Sequence, residues 1–485
     1  MALGLCNFNK TGTNNNANKD ALSNNYADLH EPLSFLQAKA EADRCLYCYD
    51  APCITACPTS IDVPTFIHQI RSTNLTGSAK TILSQNIMGG TCSRACPTEI
   101  LCEQACVLNV SEEQPVEIGL LQRFAVDSLF EKQAASQLEH PFKRAKLKEK
   151  RIAVIGAGPA GLACAHRASM LGYDVTVFEA KNKAGGLNEY GLAAYKMVDD
   201  FAQKEIEFLL QIGGIHIETG QKLGENLSLK SLCDDFDAVF TSVGLGLSNQ
   251  LGINGEDDDR VIDAIEFIEA IRQSDDLSSL SVGNNVIVIG AGNTAIDAAI
   301  QSKRLGADNV TVVYRRGEES MSATQWEIDL ARKNGVNFRF YSAPKSFENI
   351  QTHNSNTDTY TKTASLECDY MQLDDDGKLT TTGESYKLPT DMVLKAIGQK
   401  FDKSPFTELN IENGKLVVSN YQTSMKGLFA GGDCIASGSD LTVQAVEDGK
   451  QAAHAIDQYL SKNQYLSKNQ YLSKNSNLSN LSEEK

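Results

Sequence analysis

Eight cysteines between Cys45 and Cys106 carry the most specific chemistry in this chain. Cys45, Cys48, Cys53 and Cys57 form a C-x2-C-x4-C-x3-C-P run. Cys92, Cys96, Cys102 and Cys106 form a second group, in which Cys96 also precedes a proline. Thiolates at such spacing bind zinc or iron–sulfur clusters. In two-cluster ferredoxins the cysteine before the proline ligates the other cluster. By that logic Cys57 leaves the first group for the second, and a cysteine of the second group completes the first. Zinc is the alternative, in a scaffold that senses a nucleotide without turnover.

Two glycine-rich turns come next. Ile152–Ile155 is a short apolar run ending in Gly156-Ala157-Gly158-Pro159-Ala160-Gly161. A helical run, Leu162–Leu171, and a second strand, Val175–Phe178, follow, closed by Glu179. Gly156 allows the tight turn, Gly158 lets backbone approach a pyrophosphate, and Gly161 lets helix and strand pack closely. The helix N-terminus offers free N–H groups to the anion, and Glu179 stands where a ribose hydroxyl needs an acceptor. The second turn, Gly290-Ala291-Gly292-Asn293-Thr294-Ala295, follows strand Val286–Ile289. Its next strand ends in Tyr314-Arg315-Arg316, without the acid. Two guanidinium groups there suit a 2′-phosphate. The pair reads as one flavin site and one nicotinamide site, leaning to NADP.

Smaller signals complete the set. Gly185-Gly186-Leu187 supplies paired glycines soon after Glu179. Gly431-Gly432-Asp433 places an acid suited to a ribityl hydroxyl before a helix starting around Leu441, whose Thr442 and Val443 begin the first turn. A helix N-terminus there stabilises negative charge on a reduced isoalloxazine. Ala396 and Gly398, at the end of strand Met392–Ile397, are further candidate nucleotide contacts.

The remaining composition bounds what positions these residues. The chain has 485 residues, is 41% hydrophobic and 22% charged, and carries a net charge of −17. That charge argues against nucleic acid as a partner, since phosphate contacts need clustered Lys and Arg. No apolar run approaches the ~18 residues of a membrane span, and the N-terminus lacks a secretory pattern. The thirteen cysteines are odd in number and clustered, which speaks against a disulfide framework. A reducing compartment, the cytoplasm, is expected. Cys6, Cys164, Cys233, Cys368 and Cys434 read as buried small hydrophobes.

The expected fold class is α/β: an N-terminal α-helical double iron–sulfur domain, then two nested Rossmann-like domains for FAD and NAD(P). The expected boundaries are 1–30, a disordered tail; 31–147, the helical 4Fe–4S domain; 148–280 and 401–460, the two parts of the FAD domain; 281–400, the NAD(P) domain, with a β-meander over 346–388; and 461–485, a repetitive tail. QYLSKN recurs at Gln458–Asn463, Gln464–Asn469 and Gln470–Asn475. A period of six matches neither 3.6 nor 3.5, so a frayed tail is expected rather than a coiled coil.

The order of two cysteine groups, VIGAGPAGL, GGL, VIGAGNTAID and GLFAGGD resembles the NADPH-dependent electron-input module shared by glutamate synthase small subunits and dihydropyrimidine dehydrogenases. The likeness covers about Leu33 to Tyr459. The five residues between Cys96 and Cys102 are similar to the N-terminal part of dihydropyrimidine dehydrogenase and its separate bacterial counterpart, the PreT-type subunit, rather than to glutamate synthase. The resemblance implies one 4Fe–4S cluster on Cys45, Cys48, Cys53 and Cys106, and a second on Cys57, Cys96, Cys102 and the amide of Gln122, with Cys92 spare. It implies an electron-transfer subunit serving a separate FMN-bearing barrel subunit that interconverts uracil or thymine and their 5,6-dihydro forms. After Tyr459 too few residues remain for a barrel of ~250. The sequence departs from the family twice. Lys196 stands in the loop after GGL where the family often has Arg, and is carried over as a cofactor contact. Ser322 replaces an Arg beyond the Arg pair, which leaves NAD open beside NADP.

Overall fold

A computed structural model of the chain describes residues 22, 24–111, 114–135, 139–354, 359–436 and 440–479. They fall into two units. One comprises Pro32–Gly186, Ala202–Gly246 and Phe401–Lys485; the other comprises Met1–Glu31, Leu187–Phe201 and Leu247–Lys400.

The larger unit opens with seven helices: α1 (Phe35–Asp43), α2 (Pro52–Ala56), α3 (Val63–Arg71), α4 (Leu75–Gln85), α5 (Gly89–Ala95), α6 (Val107–Ser111) and α7 (Ile118–Ala134). Their starts are written in capping residues. Ser34 and Gln37 form a capping box on α1, and Asp62 and Asn74 accept from the first-turn amides of α3 and α4. Short α2 and α5 stop at Cys57 and Cys96, whose backbones are extended (ψ 118° and 137°). The following proline disfavours helical backbone at the residue before it, so the Cys-Pro pairs end each helix and present the thiol. Phe66, Ile67, Ile70, Ile82, Leu83 and Leu121 form the bundle core.

The same unit continues into a parallel sheet ordered β13-β4-β1-β2-β3. Its strands are β1 (Arg151–Ile155), β2 (Asp174–Glu179), β3 (Ile215–Thr219), β4 (Ala238–Thr241) and, far along the chain, β13 (Leu428–Ala430). Helix α8 (Pro159–Met170) connects β1 to β2, and α9 (Phe201–Leu210) precedes β3. The last helix, α13, spans Thr442–Ser479 and packs along α8. It runs through the six-residue repeat, against the expectation of a frayed tail. Leu, Gln and Lys are good helix formers, no Gly or Pro interrupts the repeat, and propagation from a packed first half costs little.

The second unit holds another parallel sheet, β5-β12-β6-β7-β8, formed by Val261–Asp263, Met392–Lys395, Asn285–Ile289, Asn309–Val313 and Asn337–Arg339. Helices α10 (Ala264–Arg272), α11 (Asn293–Leu305) and α12 (Gln325–Lys333) accompany it. The expected meander is present as β9 (Ser342–Asn354), β10 (Thr359–Leu373) and β11 (Leu379–Thr390), paired antiparallel. Residues 187–201 and 247–280, expected with the FAD domain, fall in this unit because β5 pairs with β12 and α10 packs on α11.

The expected disordered tail also differs. Leu22 and Tyr26 are buried in this unit's core, Leu29 packs against it, and the Tyr26 hydroxyl donates to the Gln301 carbonyl at 2.8 Å. The spacing 22, 26, 29 is one helical face, hidden in an Asn-rich composition. Residues 1–21 lie outside the described residues.

Candidate redox centre

The first glycine turn sits at the C-terminal edge of β1, where the Gly156 amide donates to the Phe178 carbonyl at 2.8 Å. Gly158 caps α8, and Pro159 occupies its first turn, where a missing N–H costs nothing. The amides of Ala160 and Gly161 remain for an anion. A side chain on Gly161 would collide with the Gly156 carbonyl. Gly186, in the left-handed region (φ 54°), comes so near Gly158 that an added Cβ would stand 2.7 Å from its Cα. Gly185 donates to the Ala157 carbonyl at 2.8 Å. Two stretches of bare backbone thus face each other, a cradle that a side chain would fill.

Glu179 is buried, and its two carboxylate oxygens accept from the amides of Ala157 (2.7 Å) and Lys181 (2.8 Å). It holds the turn closed and retains lone pairs for a ribose hydroxyl. Gly432 packs against Ala160, so the Gly431-Gly432-Asp433 turn reaches the same place. Burial pushes the Asp433 carboxyl up to about 6, aided by Asp440 and opposed by Lys415. A desolvated acid beside a bare-backbone cradle fits a flavin's ribityl chain. Thr442 and Val443 open α13, one residue later than expected.

The sequence reading missed three residues around this turn. Ser242, after β4, donates to the carbonyls of Ile155 and Gly156 at 3.1 and 3.2 Å. Asp448 in α13 accepts from the Gly432 amide at 3.0 Å, the Gln444 amide at 2.9 Å and the Tyr421 hydroxyl at 3.3 Å. Gly449 lies against the Ala160 carbonyl, where a Cβ would collide. The readable signal was the Asp-Gly pair inside a helical stretch, where glycine is costly without a packing reason.

The cysteine loops belong to the same unit. Cys45, Cys48, Cys53 and Cys106 line one cavity with Leu46, Val63, Ile67, Val107 and Ile118. Three of the thiols come from the first group and one from the second; Cys57 does not line this cavity. Burial raises the Cys45 and Cys53 thiols, the latter to about 12, and neighbouring thiols, Cys106 among them, add to both shifts. Cys96 is held well above its ordinary value by a hydrogen bond with Cys92, by burial, and by Cys102 and Cys57. Cys102 is raised by burial, Glu103, Cys57 and Cys53. Acidic groups crowded in a low dielectric with no cation between them keep their protons; a metal cluster can replace those protons. Among the described residues no three His, Cys, Asp or Glu side chains close on a single ion. Gln122 is buried on α7, and its amide nitrogen donates to the Gly89 carbonyl at 2.6 Å. That bond fixes the side chain through its nitrogen. Cys164, Cys368 and Cys434 are buried and Cys233 half-buried, and Cys6 lies outside the described residues.

Both cysteine loops are tied to the glycine-turn half of the unit. Buried Lys450 of α13 donates to the Thr59 carbonyl and to Gln85, each at 3.2 Å. Thr59 in turn touches the Cys57 sulfur at 3.2 Å. Glu205 of α9 accepts from the amides of Gly90 (2.8 Å) and Thr91 (3.0 Å) and from the Thr91 hydroxyl. An acid in an amphipathic helix gives no signal of such a role.

In the second unit, Gly290 approaches the Ala396 carbonyl so closely that a Cβ would collide, which explains Gly290 and places Ala396 beside the turn. Gly398 follows in the left-handed region and accepts at its carbonyl from the Asn249 amide at 3.1 Å. Gly292 caps α11, and Asn293 accepts from the Thr324 amide at 3.2 Å, beside Thr294 in the first turn. Ser322 stands 3.3 Å from the position of a Gly292 Cβ. Arg315 and Arg316 are exposed, and neither guanidinium has an ion-pair partner among the described residues.

Leu187 and Lys196 also fall in this unit. Lys196 is engaged within the protein. Its buried ammonium lies 2.8 Å from Asp297 and 2.5 Å from Glu327, and Tyr195 donates to Asp297 at 2.8 Å. Burial alone would lower the lysine's pKa, but the two carboxylates outweigh it and raise it. Lysine here neutralises a buried acid pair.

The family model described as dihydropyrimidine dehydrogenase domain II, 4Fe-4S cluster, matches residues 22–134, and that of pyridine nucleotide-disulphide oxidoreductases matches residues 150–449. The NAD-dependent dihydropyrimidine dehydrogenase subunit PreT of Salmonella typhimurium is 33% identical over 441 residues, 90% of this chain and 98% of that one. The glutamate synthase [NADPH] small chain of Escherichia coli K12 is 32% identical over 455 residues, 90% and 94% respectively. Among solved structures, FprA of Mycobacterium tuberculosis in complex with NADPH gives a TM-score of 0.53 at 18% identity, over 66% of this chain and 86% of that one. That likeness concerns the fold alone.

Proposed function

We propose that this chain, which belongs to the family of NAD(P)-dependent, iron–sulfur flavoproteins that includes the PreT subunits of dihydropyrimidine dehydrogenase and the glutamate synthase small chains, is an electron-input subunit. Its partner would be a separate FMN-bearing barrel subunit that interconverts uracil or thymine and their 5,6-dihydro forms. When bound, FAD would supply hydride exchange with NAD(P)H, and 4Fe–4S clusters would supply single-electron transfer.

The chain's own residues bind and orient. Ala160 and Gly161 offer amides to the FAD pyrophosphate, Glu179 offers an acceptor to its ribose, and Asp433 one to its ribityl chain. Cys45, Cys48, Cys53 and Cys106 hold one cluster. Cys57, Cys96, Cys102 and Gln122 hold the other, with Cys92 as a neighbour of Cys96. Arg315, Arg316 and the α11 N-terminus receive the nicotinamide dinucleotide. The observation that carries this reading is an apolar cavity lined by thiols from both cysteine groups. It supports crossed ligation. The free cysteines suit a reducing compartment, and we place the reaction in the cytoplasm.

A glutamate synthase small chain is the second reading, favoured by 32% identity over nearly the same span. One experiment separates them. The purified chain is mixed with an FMN-bearing dihydropyrimidine-reducing subunit and NADH or NADPH, and uracil is followed. Nicotinamide-dependent loss of uracil is the expected result. Turnover only of glutamine with 2-oxoglutarate, in the presence of a glutamate synthase large chain, would sink the pyrimidine assignment.

A further inference from the structure

Helix α5 is short, and it carries three of the residues that matter to the second cysteine group. Cys92 lies within it and Cys96 ends it. Gly89, at its start, accepts from the amide of Gln122 at 2.6 Å. The next two residues, Gly90 and Thr91, are gripped by Glu205, which reaches in from α9 and is 1% exposed. Three donors converge on one carboxylate. At 1.5 Å per residue, Thr91 lies about 8 Å from Cys96 along the helix. Arg94, one turn on, donates to the Gly90 carbonyl and pairs with Asp127 through two bonds of 2.9 and 2.8 Å; Arg123 adds to the same aspartate at 3.4 Å.

A buried carboxylate is an expensive way to fill space, and an apolar side chain or a glutamine would fold more cheaply. Its presence at the start of a ligand-bearing helix calls for a reason beyond packing. We propose that Glu205 is a positioning residue for the second cluster: it holds, from the flavin half of the unit, the helix that delivers Cys96 and anchors Gln122, and its negative charge sets that cluster's potential. The proposal rests on the reading that Cys57, Cys96, Cys102 and Gln122 hold a cluster. A fixed negative charge nearby favours the oxidised cluster, so its loss raises the potential. The cavity lined by Cys45, Cys48, Cys53 and Cys106 has no such contact with Glu205 among the described residues.

The test uses the full chain, purified anaerobically and titrated at about pH 8.5, above the range in which buried Glu205 keeps its proton, while its electron paramagnetic resonance is recorded. Cys48→Ser and Cys96→Ser assign the two signals. If the wild-type protein shows only one cluster signal, the ligand reading and the proposal fall together. With two signals present, Glu205→Gln is expected to favour reduction of the Cys96-dependent cluster by ~tenfold, about 59 mV for one electron, and to leave the Cys48-dependent signal in place. Glu205→Asp, which keeps the charge, is expected to return the potential toward wild type. Unchanged potentials in Glu205→Gln, or equal shifts in both clusters, overturn the proposal alone. Where Glu205→Gln yields no folded protein, Thr91→Val decides. A change confined to the Cys96-dependent signal supports the proposal, and no change overturns it.

Discussion

Buried ionisable side chains are where single residues in this chain have the largest measurable consequences. Glu205 is pushed up to about 7 by burial, against the bonds from Thr91 and Gly90 and the charge of Arg94. Its unfolded value is near 4.5. Between these two values the folded chain holds a proton that the unfolded chain releases, so stability falls as pH rises through the window, and the penalty is complete above about 7. Denaturant midpoints at pH 5 and pH 7.5 should show a smaller difference in Glu205→Gln than in the wild type. An equal difference would mean the acid is not buried as described. Lys196 gives the opposite kind of test. Replacing it by Met leaves Asp297 and Glu327 buried without their cation. Loss of one partner of a buried pair costs about 3–5 kcal/mol, to be read from chemical unfolding. A cost below ~1 kcal/mol would show that the pair is solvated.

Among the elements, α8 and α13 depend on each other most closely. Gly449 lets α13 approach the Ala160 carbonyl, at the start of the helix that faces the anion. Gly449→Ala is expected to push the two helices apart, to cost about 1–3 kcal/mol as overpacking does, and to lower FAD content on purification. Absorbance at the flavin band against protein mass checks this. Among the described residues, the last buried side chain on α13 is Leu460. A chain truncated after Lys462 should therefore keep its flavin and iron, measured against the intact protein. Loss of either would mean that the repeat supports the fold.

For the molecule as a whole the counts are the simplest test. Two 4Fe–4S clusters and one flavin predict about eight iron atoms per FAD. Nicotinamide preference is a second observable. Arg315 and Arg316 are exposed and unpaired among the described residues. Replacing both by Ala should raise KM for NADPH ~tenfold or more, since a lost charge-assisted contact is worth about 1.4 kcal/mol or above, and leave KM for NADH near its starting value. Equal changes for both nucleotides would mean that these side chains do not read the 2′-phosphate.

The amino-acid sequence alone determined the elements that local chemistry dictates. Glycine turns between strand and helix, prolines that end short helices after a cysteine, and apolar strands of parallel-sheet type are all consequences of neighbours in the chain. The family was legible for the same reason, since its motifs are short and ordered. Tertiary structure decided what depends on residues far apart. Cys106 reaches the cavity of Cys45, Cys48 and Cys53, Glu205 grips a helix more than a hundred residues upstream, and Lys196 serves two acids of another helix pair. Leu22 and Tyr26 find a core that their Asn-rich surroundings conceal. Burial and long-range pairing are set by the packed chain, where a charge must find a partner or lose its water, and no local pattern of residue types encodes which partner that is.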